Sequence, residues 1–514
     1  MKKLLLLLVP VFLLLSCKED SVEPVFVVNC PSEVVPAAGG TVSLVVEWEN
    51  CRYKLSTSDP FVSLPSLVYI GRTDAGGTTS VEVTLSANTS VSRRTANLLF
   101  EPVEGADRKV EVAIVQEAFE PLHAKVSVDS GTEYQVWDGF GAMNDWGDTN
   151  YWSESEIDLL MGTLALRIMR IRIPVDESHW ANLVPGCKYA VERYGARILA
   201  TPWTMPASMK DNGDLNARNA QGETSHLLEE HYNDYALYLE KFAAFMKDKG
   251  APLYAISVQN EPDWPASYEG CIWSAEQHLK FVRDYGHLIT SALLVTGESL
   301  KSDHSFYNPV LEDETACANI DIVGGHLYGA TPSPYSLAAS KGKALWMTEH
   351  LLNDSWSGSS SHWDETMDML REIHGCLISG WNAYIWWYGR RYYSFIGDGE
   401  QGASKGTILA RGRAYGQYSS CFAPGSVRVA ATVQDGDGLL ATACKAPDGS
   451  LSLVLLNTLT SALENVEIDL GGTAASVSAS YTTESGTLTL PLTHAGNAVR
   501  LDLPSRCIAS LKIK

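Results

Sequence analysis

Between residues 137 and 417, short apolar stretches alternate with helical ones, and this alternation narrows the possible folds more than any other feature. A strand that feeds a helix, repeated many times, is the pattern of parallel βα units. Candidate strands fall at 137–142, 166–173, 196–201, 253–258, 293–297, 320–324, 345–348 and 383–387. The helices between them carry their own start and stop signals. Ser153-Glu154-Ser155-Glu156 and Ser274-Ala275-Glu276-Gln277 are capping boxes, in which the serine closes the helix start and the fourth residue reaches back. The stretch 229–249 sets Tyr232, Tyr235, Leu239, Phe242 and Phe245/Met246 on one face, and Gly250 stops it. Eight strands in one such region predict an α/β fold, a (β/α)8 TIM barrel over residues 135–418.

On either side the period falls to two. Residues 25–119 alternate in stretches such as 41–46, 80–85 and 110–115, with Ala75-Gly76-Gly77 as a turn, and predict a small all-β sandwich. Residues 419–514 alternate again, with 439–445 and 451–457 flanking the hairpin turn Pro447-Asp448-Gly449. The strand at 124–128 would be an orphan unless it joined this last sheet. A side β-sandwich domain is therefore expected from 124–134 plus 419–514.

The N-terminus lies outside any fold argument. Lys2 and Lys3 precede an apolar run, 4–15, too short to span a bilayer as an ordinary helix, and it reads as a signal-peptide core. It ends in Leu14-Leu15-Ser16-Cys17, which resembles a bacterial lipobox. That resemblance implies a lipoprotein signal peptide over residues 1–17, with Cys17 lipidated; a plain secretory signal is the alternative. The expectation is a secreted protein, anchored to the outer membrane at the cell surface without spanning it. A net charge of −22 with no basic block argues against nucleic acid or anionic lipid as the main partner. Ten cysteines, less Cys17, leave nine without a CxxC pair, which speaks against zinc and a disulfide framework but leaves one or two bridges open.

A barrel places its chemistry at the C-terminal ends of its strands. Strand four runs into Val258-Gln259-Asn260-Glu261-Pro262 and strand seven into Leu345-Trp346-Met347-Thr348-Glu349. These strands lie nearly across a barrel from each other, so their carboxyls can face one another over a bound sugar. Cleaving a glycosidic bond needs that pairing: one carboxyl to protonate the leaving oxygen, the other to attack or stabilise the anomeric carbon. Glu261 is the candidate acid/base and Glu349 the candidate nucleophile. An amide beside the acid, Asn260, can bond a sugar 2-hydroxyl. A lone strand-end glutamate would be read as a surface salt bridge; the three residues together are not. Fourteen Trp and twenty-two Tyr offer flat faces of the kind sugar clefts use.

Longer segments resemble glycoside hydrolase family 30, and most closely its glucuronoxylanase branch. They are Gly139-Phe140-Gly141-Ala142-Met143-Asn144, the run from Leu253 to Asp263, the run from Ile320 to Gly329, and Tyr384-Ile385-Trp386-Trp387-Tyr388-Gly389-Arg390-Arg391. The resemblance covers roughly residues 124–514 and implies a retaining, endo-acting hydrolase that cuts β-1,4-xylan at sites set by (4-O-methyl)glucuronic acid branches. It also implies that Arg391, with Tyr393 two residues on and Ser355 six residues after Glu349, holds the branch carboxylate. A planar guanidinium suits that task through two parallel hydrogen bonds. Alternatively, Arg390 or Arg391 pairs with Asp398 or Glu400 in its own loop. Two departures bear on how strictly glucuronate is required: Leu351 stands where the branch has a tyrosine, and the loop from Tyr393 to Lys405 is longer than usual.

Trp203 is expected to wall the sugar cleft and Tyr328 to orient Glu349, while His326 reads as structural. Trp146, Trp152, Trp264 and Trp273 are candidate stacking faces. The segment from Val112 to Ala118 resembles the last strand of BACON modules, which implies a BACON-like sandwich over 25–119, serving as a sugar-binding module or a spacer. The expected partner is hemicellulose, with no metal or cofactor and a monomer as the default. The competing readings are a family 30 hydrolase of linear xylan or β-1,6-glucan, and a non-catalytic surface glycan-binding lipoprotein.

Overall fold

The structure, a computed structural model, describes residues 23–30, 34–90, 92–119, 124–144, 150–352 and 362–514. Cys17, Trp146 and Ser355 lie outside them. The chain divides into two compact units, Met1–Pro121 and Leu122–Lys514.

In the second unit eight parallel strands close into a barrel, each paired with its neighbours in chain order. They are Gly139–Met143, Ile168–Ile173, Arg197–Pro202, Ala255–Ser257, Leu293–Val295, Ile322–His326, Ala344–Glu349 and Ala383–Trp386. Strand two pairs with both Gly141 and Arg197 at its start, and strand eight closes the ring on strand one through Ala383 and Gly139. Strands four and five keep only three ladder residues each, fewer than the apolar pattern predicts. Past Ser257 the Val258 amide still bonds the Val295 carbonyl, an isolated bridge then joins Asn260 to Glu298 beyond strand five, and Glu261 turns to φ +43°.

Alternate residues of a strand face opposite sides. On strand two Met169, Ile171 and Ile173 pack outward against the helices, whereas Ile168 belongs to the plug inside the barrel. That plug consists of Ile168, Leu199, Ala255, Val295, Ile322, Trp346, Ala383 and Ile385, with Trp346 stacked 5.8 Å from Tyr254. Both capping boxes form, at Ser153/Glu156 and Ser274/Gln277. The predicted helix at 229–249 begins as a short 3-10 turn, Glu229–His231, and continues as an α-helix, Tyr232–Asp248. Its Tyr232, Tyr235, Leu239, Phe242 and Met246 are buried, and Gly250 ends it at φ +79°, where any other residue would be strained.

The strand ahead of the barrel, Lys125–Val136, enters the middle of a ten-stranded sheet. It runs antiparallel to Val427–Gln434 and parallel to Leu463–Asp469. One face of this sheet forms its own core, including Val126, Val128, Leu455, Leu501 and Leu511. From the other face Val454, Leu456 and Ile508 join the barrel's outer core. The first unit is a seven-stranded β structure around Leu44, Val46, Val83, Leu98, Phe100 and Ile114. Its two longest strands, Gly40–Ser56 and Tyr69–Leu85, shift register where Asn50 takes φ +52°. All nine described cysteines are free thiols, and all but Cys30 are buried.

Candidate active site

The ends of strands four to seven bring three carboxylates and a histidine together beneath an open pocket, where they meet an arginine from strand two. Strand two contributes Arg170, which is fully buried. Its guanidinium donates to Glu349 Oε2 at 2.5 Å, to Glu298 Oε2 at 3.1 Å and to Asn260 Oδ1 at 2.7 Å. Burial opposes its charge, but Glu298 and Glu349 more than compensate and raise its pKa. Glu349 takes a second hydrogen bond, at 2.9 Å, from the Tyr328 hydroxyl. Burial and the Glu349 charge hold the Tyr328 phenol far above its ordinary value, so it stays a donor.

Across from Glu349, Glu261 accepts from the Tyr268 hydroxyl at 3.2 Å and faces His326 Nδ1 at 3.1 Å. The other ring nitrogen of His326 stands 3.5 Å from Glu298 and 3.9 Å from Glu349. Burial alone would lower the His326 pKa; the Glu349 charge and its contacts with Glu261 and Glu298 outweigh this and raise it to about 9. Burial would likewise raise Glu298, but Arg170 and His326 pull it down to about 2. The surrounding carboxylates thus favour the protonated form of His326, whose Nδ1 is within hydrogen-bonding distance of Glu261.

An oxygen of Glu261, an oxygen of Glu349 and a ring nitrogen of His326 lie within 4.8 Å of one another, close enough to suggest a metal site. The donor set does not suit one. Arg170 already supplies a fixed positive charge beside Glu349 at 2.5 Å, so a dication there would meet a buried cation.

The pocket above has a volume of about 620 Å³ and is lined by Trp203, Asn260, Glu261, Trp264, Tyr268, Leu300, Tyr328, Glu349, Trp387 and Tyr388. Trp203 is buried, stands 5.9 Å from the Trp387 ring, and has the Arg170 guanidinium over its face at 4.8 Å. The Trp387–Tyr388 peptide is cis. Glu261 and Glu349 are 7% and 6% exposed, so a ligand in the pocket meets them out of bulk water. Two opposed carboxyls, aromatic walls and a fixed amide fit a sugar ring better than any other ligand class on this chemistry.

The β-sandwich domain of glycosyl hydrolase family 30 matches residues 425–509. Glucuronoxylanase XynC of Bacillus subtilis (strain 168) is 34% identical over 406 residues, covering 76% of this chain and 91% of that protein. The chain belongs to glycoside hydrolase family 30. Among solved structures, this family 30 enzyme is similar to the subfamily 8 xylanase Xyn30A from Clostridium acetobutylicum, with TM-score 0.69 and 29% identity over 76% of this chain and 99% of that one. A GH30 endoxylanase from Clostridium papyrosolvens C71 gives TM-score 0.68 and 29% identity over 76% of this chain and all of that one.

The sequence candidates Trp203, Asn260, Glu261, Tyr328 and Glu349 all meet in the pocket of this family 30 enzyme. Arg391 and Tyr393 do not line it; they follow Tyr388 in the next loop, Tyr393 is buried, and Ser355 is outside the described residues. Arg390 is structural: it donates to both oxygens of Glu156 at 3.0 and 2.9 Å and to the Asn150 carbonyl. Of the candidate stacking residues, Trp152 and Trp273 are core, and Trp264, 46% exposed, is at the pocket. His326 was read as structural, yet it lies between the carboxylates. Arg170, Glu298 and Tyr268 went unrecognised. Glu298 follows strand five as Glu349 closes strand seven, so the same strand-end signal marks it.

Proposed function

We propose that this enzyme is a retaining endo-β-1,4-xylanase that prefers xylan carrying (4-O-methyl)glucuronic acid branches. One observation carries the mechanism: the Glu261 and Glu349 oxygens approach within 4.8 Å. Retaining glycosidases hold their carboxyls about 5–5.5 Å apart, whereas inverting ones need about 6.5–9.5 Å to admit a water. Glu349, held by Arg170 and Tyr328, attacks the anomeric carbon as Glu261 gives its proton to the departing glycosidic oxygen. An ester between Glu349 and the sugar forms and the aglycone leaves. Water, giving its proton to Glu261, then breaks the ester and restores both groups. Because Arg170 takes Asn260 Oδ1, the amide NH2 is left to donate to the 2-hydroxyl.

The xylan substrate is supported by the relatives, a glucuronoxylanase and two xylanases. Arg391 is the group that would take the branch carboxylate, and Tyr393 and Ser355 are the residues that the family resemblance assigns to the same contact. The same reading has the enzyme working as a monomer outside the cell, tethered through lipidated Cys17, with the 25–119 module as a BACON-like spacer or sugar binder.

The test is the stereochemistry and identity of early products from glucuronoxylan, followed by proton NMR. Acidic oligosaccharides released first as the β-anomer are expected, with Glu349→Gln and Glu261→Gln each lowering kcat by about 10²–10⁴-fold. α-Anomer products, or release of single sugars from chain ends, would sink the proposal.

A further inference from the structure

The loop after strand eight folds its own carboxylates onto Arg391. Arg391 Nη1 is 3.7 Å from Asp398 Oδ2, and Nη2 is 3.8 Å from Glu400 Oε2. The loop is built to hold them there. The Arg391 amide bonds the Ile396 carbonyl at 3.1 Å, and Gly397 exchanges bonds with Thr407 and Gly406 at 2.9 Å. Asp398 Oδ1 caps the Glu400 amide at 3.0 Å.

The adjacent arginine shows what a finished ion pair looks like here. Arg390 grips Glu156 by hydrogen bonds, both partners buried. Arg391 has charge beside it but no such grip: both ion-pair distances exceed hydrogen-bond length. Arg391 Nε and Asp398 Oδ2 are buried without a hydrogen-bond partner among the described residues. The two carboxylates offset the charge of the guanidinium without a hydrogen bond to it, and among the described residues its Nε is left unspent, Tyr393 being a further partner. The acids also differ in freedom. The Asp398 side chain is 12% exposed and fixed, whereas that of Glu400 is 60% exposed and can swing into water.

We infer that Asp398 and Glu400 are specificity-determining residues: they are resident counter-charges that compete with the branch carboxylate for Arg391. This rests on the proposed function, in which Arg391 takes that carboxylate. A uronate arriving at Arg391 displaces Glu400 and still meets the repulsion of Asp398, so it gains less than it would from a bare guanidinium. A chain without the branch leaves Arg391 paired rather than stranded. The branch becomes a preference and ceases to be a requirement.

The experiment measures kcat/KM on glucuronoxylan and on debranched linear xylan at low salt. It compares wild type, Arg391→Ala, Glu400→Gln, Asp398→Asn/Glu400→Gln, and the triple variant with Arg391→Ala. Wild type is expected to cut both polymers. Glu400→Gln, at an exposed position, should gain about threefold on glucuronoxylan and the double variant about tenfold, each within about twofold of wild type on linear xylan. In the Arg391→Ala background the gain should vanish. If Arg391→Ala lowers the glucuronoxylan rate but the carboxamides do not raise it, the inference is overturned and the proposed function stands. Wild type that cannot cut linear xylan overturns it as well. If Arg391→Ala leaves glucuronoxylan cleavage unchanged, the branch assignment falls and the inference with it.

Discussion

Arg170 shows how much can hang on one buried side chain. It has no exposure, and its four partners, Glu298, Glu349, Asn260 and Thr201, are themselves buried. Replacing it with methionine keeps the volume but strands two carboxylates, so Arg170→Met should cost about 3–5 kcal/mol in denaturant unfolding. Adding Glu298→Gln should recover part of this, because one stranded charge goes. His326 and Glu298 make a pH argument with opposite signs. The His326 pKa rises from 6.5 to about 9 on folding, so its contribution is whole below pH 6.5 and gone once pH passes about 9. The Glu298 pKa falls from 4.5 to about 2, so its contribution is whole above pH 4.5 and lost as pH drops through about 2. Together they set a stability plateau between about pH 4.5 and 6.5. The alkaline decline in Tm should flatten in His326→Asn, and an undiminished decline would assign it to other groups. The carboxylates of the reaction were legible in the sequence because they end apolar strands. Their partners were not: Met169-Arg170-Ile171-Arg172 looks like a strand with one face in water, and only barrel closure turns that polar face inward.

At the scale of elements, the sequence was most legible where periodicity was longest. All eight barrel strands lie where apolar stretches precede helices, and the strand expected at 124–128, assigned to the C-terminal sheet because it has no other partner, is found there as Lys125–Val136. Strands four and five were predicted too long. Their C-terminal ends leave the ladder so that Glu261 and Glu298 can face the axis, and no apolar pattern records that departure. The sequence reading of the turn after strand eight rests on its arginines, Tyr393 and the length of the loop, yet its geometry depends on Gly389. A Cβ there would lie 2.2 Å from Cζ2 of Trp152, whose ring is core and not a sugar platform. Gly389→Ala should therefore destabilise by about 1–3 kcal/mol. It should also raise KM, because Tyr388, the next residue back, lines the pocket. Trp152→Leu frees the space, so in a double-mutant cycle the pair should cost less than the sum of the single variants. Strict additivity would show that the ring and the glycine do not meet.

At the scale of the whole molecule, the chain order and the sheet order disagree in one informative place. Lys125–Val136 precedes the barrel in sequence but pairs with strands that follow it, running between Val427–Gln434 and Leu463–Asp469. The side domain is thus assembled from segments on both sides of the barrel, and the strand is an interior member of its sheet. This makes the position of an N-terminal cut decisive. A protein beginning at Ala124 removes the first compact unit and keeps that strand. It should fold, unfold in one cooperative step fewer than the full chain, and hydrolyse soluble xylan at an unchanged kcat/KM. A protein beginning at Trp137 loses only thirteen more residues. It should nevertheless expose Val427–Gln434 along most of its edge and the end of its other neighbour at Glu467–Asp469, strip Val126 and Val128 from the side-domain core, and aggregate or lose activity. Because the opposite face of that sheet packs on the barrel through Val454, Leu456 and Ile508, the damage should reach the barrel. Calorimetry and activity on the two truncations decide the matter. Equal behaviour would mean that the strand is dispensable and the side domain independent of it, whereas failure of both would mean that the first unit supports the second.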